Sequence, residues 1–114
     1  MSGQLQTYRE TVVIAPDLIE EAAHRFALLG DPTRLRLLQA LMDHAELSVG
    51  DVSAATGTSR FNASAHLNRL AHAGLVARRR DRSTVYYRIN DAHLPAVCEW
   101  MCDSLRRRAR TMAG

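Results

Sequence analysis

The chain predicts a mainly α-helical domain with a small β-hairpin, an α+β arrangement of about five helices and two strands. Three observations lead there. Apolar residues recur at helical spacing in four stretches before residue 73 and in one after residue 93. Between them, residues 75–89 read as two short strands rich in β-branched and aromatic residues, with Asp81 to Ser83 at the turn. Charge is also segregated: residues 1–58 hold four Arg against eight acids, net −4, whereas residues 59–114 hold eleven Arg against four acids, net +7.

At 114 residues the chain is long enough for one core and gains from burying further surface in a dimer. Residues 1–16 lack a helical period beyond the apolar run Val12-Val13-Ile14 and read as an arm, 17–110 as the domain, and 111–114 as a tail. Asp17 and Glu20 form a capping-box pair for the first helix, whose stripe is Leu18, Ala22, Phe26 and Leu29, up to Gly30. Asp31 caps and Pro32 opens a second helix, about 32–43, with Leu35, Leu38, Leu41 and Met42 as its inner face. Ser48 with Asp51 starts a short third helix, with Val49, Val52 and Ala55 facing inward, before the turn Thr56-Gly57-Thr58. Ser59 caps the fourth helix. Its period sends Ala63, Leu67, Leu70 and Ala71 inward and Arg60, Phe61, Ser64, Ala65 and Asn68 outward. The hairpin has no Asn-Gly or Asp-Gly, so a longer tip is expected. The last helix runs to about Ala109 with Leu94, Val97, Met101 and Leu105 on one side, and its terminal arginines suit the helix dipole.

A helix, a Gly-containing turn, a second helix with a polar outer face and a basic hairpin behind it make a winged helix-turn-helix, which sets a recognition helix in a DNA major groove. The basic half of the chain is the half that holds this helix and hairpin, so charge placement points to double-stranded DNA. Arg60 suits guanine O6 and N7, Ser64 and Asn68 suit base edges, and Phe61 suits a thymine methyl. Ser59, Arg78, Arg80 and Arg82, with Arg79 beside them, are placed on phosphates or the minor groove, contacts that position the protein without reading sequence. Every basic residue is Arg and none is Lys. Genomic base composition explains that bias as readily as phosphate recognition does.

Other classes find little support. The chain has no Gly-rich phosphate loop and no supported nucleophile triad, and Cys98-Glu-Trp-Met-Cys102 lacks the Cys-x-x-Cys spacing of thiol redox enzymes. No enzyme is expected. No stretch reaches the length of a membrane span and no secretory signal is visible, which predicts a cytoplasmic protein with reduced thiols. A winged module that binds protein rather than DNA is the remaining alternative, together with a regulator that has no small inducer.

Ala27-Leu-Leu-Gly-Asp-Pro-Thr-Arg-Leu-Arg-Leu-Leu38 resembles the Asp-Pro-Thr-Arg signature of the arsenic-repressor type (ArsR/SmtB) regulators. Ser59 to Leu70, with its Ser-x4-Ser-x-His-Leu-x2-Leu spacing, resembles that family's recognition helix, and Val85-Tyr-Tyr-Arg-Ile89 its second wing strand. The resemblance spans about residues 20–105. It implies a homodimer joined through the first and last helices, bound to an inverted-repeat operator and released by a metal ion or a thiol-directed signal; repression is the usual mode. The chain departs from the pattern at three places. Leu47-Ser-Val-Gly50 has no sulfur where the family's third-helix thiol site lies. Asp91-Ala-His93 matches the start of the last-helix metal site, but its second pair would fall at Ser104 and Arg107, and Pro95 favours a loop for Asp91 and His93. Arg82 stands where relatives carry Gly.

An inducer site at the dimer interface would therefore draw on Cys98 and Cys102, four residues apart on one helix face, with His24, Asp91 and His93 or the partner subunit. Thiolates favour zinc, cadmium or arsenic(III), whereas His93 and His24 with Asp91 favour zinc, nickel or cobalt. Thiol oxidation needs no metal. The competing reading is two small apolar residues packed in an interface. His66 and His72 are read as packing or capping residues, and Tyr87 and Trp100 as core or dimer-surface aromatics.

Overall fold

The computed structural model describes residues 14–113, so most of the expected arm lies outside the described residues. After a 3-10 turn at Pro16–Leu18 come α1 (Ile19–Leu29), α2 (Pro32–Met42), β1 (Leu47–Ser48), α3 (Val49–Thr56), α4 (Arg60–His72), β2 (Val76–Asp81), β3 (Thr84–Ile89) and α5 (Leu94–Ala113). The strands form one antiparallel sheet in the order β1-β3-β2. β1 is an addition to the predicted hairpin, and it pairs Leu47 with Tyr87 and Ser48 with Tyr86.

Three of the four helix starts read from the sequence are built as expected. The side chains of Asp31, Ser48 and Ser59 accept from the backbone N–H of Arg34, Asp51 and Asn62, satisfying donors that a helix start leaves unpaired. The exception is α1. Pro16 opens the 3-10 turn, Leu18 N–H bonds the carbonyl of Ala15, and α1 then starts from Leu18 with no side-chain cap. Asp17 is spent inside that turn, so the capping-box expectation fails there.

The core joins Leu28, Leu37, Leu38, Leu41, Val52, Ala63, Leu67, Leu70, Leu75, Val76, Tyr87 and Leu94. Three inner faces differ from expectation, and in α3 Val52 is buried while Ala55 stays exposed. In α2, Leu37 replaces Leu35, which stays 42% exposed. In α1, Leu28 alone is buried; Leu18 and Phe26 of the predicted stripe point outward. That stripe is a real face, but it looks toward α5: Ala22, Phe26 and Leu29 line a small apolar groove with Leu94 and Val97. α5 buries only Leu94 along its twenty residues, leaving Val97, Trp100, Met101 and Leu105 exposed.

The hairpin tip is tighter than predicted. Asp81 pairs with Thr84, so only Arg82 and Ser83 connect the strands. Arg82 supplies the left-handed residue such a turn requires, at φ 57°, a conformation that disfavours side chains with a Cβ. Arg80 holds it there by donating from Nε to the Arg82 carbonyl at 3.0 Å.

Candidate nucleic-acid interface

The turn between α3 and α4 sets the angle of the exposed helix. Gly57 takes φ 73° and its N–H closes α3 on the Ser53 carbonyl, while the Ser53 hydroxyl donates to the Thr58 carbonyl at 2.6 Å. A left-handed C-cap of this kind favours Gly, which has no Cβ to clash. α4 then anchors itself through Ala63, Leu67 and Leu70 and presents Arg60, Phe61, Ala65 and Asn68 to solvent, with Ser64 half-buried. Phe61 is 83% exposed, an unusual position for a phenyl ring that has no partner surface.

A groove of about 620 Å³ runs between this helix, the start of α3 and the wing. Arg60, Phe61 and Ser64 line one wall, Ser48, Val49 and Gly50 at the start of α3 another, and Ser83, Thr84 and Val85 of the wing the third. The Arg60 guanidinium lies over Gly50 so closely that a Cβ at that position would meet its terminal nitrogen at 3.0 Å. The α3 residues of this groove were missed in the sequence, where Ser48 read only as a helix cap.

The strand register sorts the wing arginines by face. Arg78 pairs with the buried Tyr87 and Arg80 with Val85, so both share the face that looks toward α4. Arg79 is on the opposite face. Its guanidinium binds both carboxylate oxygens of Glu46, at 2.6 and 3.1 Å, and lies 4.5 Å from the Tyr86 ring centroid. The Arg79 hydrogen bond holds the Glu46 carboxyl below its usual range. Arg79 therefore braces β1 against the hairpin, while Arg78, Arg80 and Arg82 are exposed with no carboxylate partner among the described residues.

Asn68 has a second role that the sequence did not reveal. Its Oδ1 accepts from the buried Tyr87 hydroxyl at 2.7 Å, which ties α4 to β3 and leaves the Asn68 amide N–H groups as its outward donors.

The five residues named for an inducer fall in separate places. His24 lines a cavity with Arg34, Arg69 and His72. Asp91 and His93 lie before α5, in the loop that Pro95 predicted; Asp91 is 3.5 Å from the Arg25 guanidinium and accepts from the His93 backbone N–H. Cys98 is half-buried against the core, and burial, then the neighbouring Cys102, pushes its thiol up; Cys102 is exposed. Among the described residues of one chain no three His, Cys, Asp or Glu side chains converge, so a single chain does not build a closed metal site.

The described chain matches a family model described as a helix-turn-helix domain over residues 29–79. It is 36% identical over 94 residues to a transcriptional repressor SmtB homolog of Synechocystis, covering 82% of this chain and 70% of that protein. The chain spans only about half the length of some curated relatives, 52% in one mycobacterial regulator. Among solved structures, the AntR antimony-specific transcriptional repressor superposes with TM-score 0.69 at 30% identity, over 90% of this chain and 89% of that one. A homodimeric winged helix-turn-helix DNA-binding domain from Mycobacterium bovis, a possible ArsR-family regulator, gives TM-score 0.71 at 30% identity, over 88% and 90%.

Fold and groove together define a winged helix-turn-helix domain, the class of fold that DNA-binding transcriptional regulators use. The chain belongs to the ArsR/SmtB family. No helix among the described residues is long and apolar enough to cross a membrane.

Proposed function

We propose that the chain acts as a homodimer that represses transcription by laying two α4 helices in successive major grooves of an inverted-repeat operator. The observation that carries this reading is the one-sided wing: Arg78 and Arg80 face the groove beside α4, and Arg79 is neutralised on the far side. Arg60, Phe61, Ser64 and Asn68 read bases; Ser59, Arg78, Arg80 and Arg82 hold phosphates or the minor groove. The dimer forms through α1 and α5, whose exposed Phe26, Val97, Trp100 and Leu105 need cover. Two half-sites then lie about 34 Å apart.

Anisotropy titrations with inverted-repeat and scrambled duplexes across a salt series test this. Arg60→Ala is expected to cost roughly 1–3 kcal/mol on the cognate site and relax base preference, whereas Arg80→Ala weakens all duplexes alike and lowers the salt slope by about one. A monomer at micromolar concentration that ignores inverted repeats overturns the reading and leaves the winged protein-binding module.

The inducer reading rests on the α5 thiols. Cys98 and Cys102 stand at i and i+4 beside the exposed Val97 and Met101, and a repressor of similar fold is antimony-specific. Two soft donors suit zinc, cadmium or arsenic(III), and the remaining ligands would come from the partner copy or from Asp91 and His93, nitrogen and oxygen donors that favour zinc, nickel or cobalt; His24, which lines the cavity with Arg34, Arg69 and His72, drops out of the set. Titrating wild type and the Cys98→Ser, Cys102→Ser protein with a metal panel and with oxidant, following thiolate absorption and DNA affinity, decides it. Identical responses reduce both thiols to packing residues and favour a regulator without this inducer.

A further inference from the structure

Away from the DNA face and the apolar groove, a cavity of about 450 Å³ opens where α1, α2 and the last turn of α4 meet. Its lining is His24, Ala27, Leu28, Arg34, Arg69 and His72: two guanidiniums and two imidazoles over a floor that includes the buried Leu28, with no carboxylate in the wall. Ordinary surface cations alternate with acids or spread into solvent. These converge from three helices.

Arg34 is fixed in place rather than waving. Its Nε donates to His66 Nδ1 at 3.2 Å and one terminal nitrogen reaches the Leu28 carbonyl at 3.4 Å, which leaves the other without a hydrogen bond among the described residues. The carboxylate next to it, Asp31, is turned to the α2 cap, where it accepts from the Arg34 backbone N–H. The side chains of Arg69, His24 and His72 make no hydrogen bond or ion pair among the described residues. A pocket of this size is in the range that holds small molecules. Its charge is more than one carboxylate needs and matches a group with several terminal oxygens and a double negative charge, which guanidinium forks grip bidentately.

We propose that this cavity is a binding site for a phosphoryl group, as free phosphate or on a small phosphorylated molecule. The site goes beyond the DNA-binding reading. Arg69 is nine residues from Arg60, about 14 Å along the helix, so the cavity sits at the end of α4 remote from the base-reading turn. The face of α1 that carries His24, Ala27 and Leu28 is also distinct from the Ala22 and Phe26 face turned to α5.

The test uses the full chain without DNA, so its outcome is separable from operator binding. Inorganic phosphate and pyrophosphate are titrated at constant ionic strength, with chloride and acetate as controls, while the His24 and His72 ring resonances are followed by NMR. The expected result is saturable binding of one anion per chain, pyrophosphate tighter than phosphate, and affinity lowered roughly tenfold or more in Arg69→Gln, the loss of one charge-assisted hydrogen bond. His72→Gln serves as a second variant, and unchanged thermal melting shows that each remains folded. Non-saturating shifts, shifts matched by acetate or chloride, or shifts unaltered in both variants overturn the proposal. Rings that respond to random duplex DNA but not to either phosphate also overturn it and make the cluster a DNA-backbone contact.

Discussion

On the α4 and wing side, each helix start is capped by its own serine, the turn is closed by Gly57, Tyr87 is bonded to Asn68, and Arg79 has its Glu46. On the α1 and α5 side, α1 lacks a side-chain cap, a twenty-residue helix buries a single leucine, and the donors expected to share an ion are scattered. One chain finishes the first surface, and the second is the one the proposed dimer would complete. The contrast teaches that DNA-reading geometry can exist before any signal, whereas a signal acting on α5 acts on an interface. It would change how two finished reading heads are spaced.

The largest expected effect tests that division at its root. Leu67→Ala empties a site of zero exposure beneath α4 and is expected to cost about 2–5 kcal/mol in urea unfolding. Leu105→Ala, on a residue 55% exposed, should leave the unfolding of a dilute monomer within about 0.5 kcal/mol and instead weaken self-association, read by sedimentation. Equal losses from both in dilute unfolding would erase the distinction.

A smaller effect sharpens it. Tyr87→Phe removes a donor from inside the sheet and should lower stability by about 1 kcal/mol, while also freeing Asn68 to turn. The double substitution with Asn68→Ala should cost less than the sum, because the two side chains share one bond.

The smallest concerns acid. Backbone bonding from Arg34 lowers the Asp31 carboxyl, and Arg79 lowers that of Glu46, so both bind protons less readily folded than unfolded. Their contribution is present above the ordinary carboxylate range and is lost as pH falls through the depressed values. Both groups are half-buried at the surface and still screened by solvent, so the slope is shallow. Asp31→Asn keeps a capping oxygen without the titration and should flatten the acid limb of a urea-midpoint against pH curve; an unchanged limb would remove Asp31 from the account.

Much of the finished surface was legible because its signals are local. Ser48, Ser59, Asp31 and Gly57 act within a few residues of themselves, and the α4 faces follow from one period. The signals that failed are non-local or too short. β1 is a two-residue strand that only its pairing with Tyr86 and Tyr87 defines. Leu35 and Leu37 are both apolar, and which one enters the core depends on what packs above α2. A two-residue wing turn at Arg82 contradicts residue preference and is held by Arg80 from the neighbouring strand. Arg79 reads like its neighbours until Glu46, 33 residues away, selects it. Asp91 and His93 match the start of a family motif, and Cys98 and His24 join them only through the expected packing of the first helix on the last, which does not make the side chains meet.

Gly50 gives the base-reading helix a constraint that touches no base. The Arg60 guanidinium rests 3.0 Å from where a methyl group at position 50 would stand, so a side chain there meets the movable end of the arginine. A side chain at 50 would push the arginine off its resting place and re-aim it, and a shorter residue at 60 would make room for one at 50. The resting place of Arg60 is thus set from two helices, and it can be shifted by a change in the preceding one without touching α4.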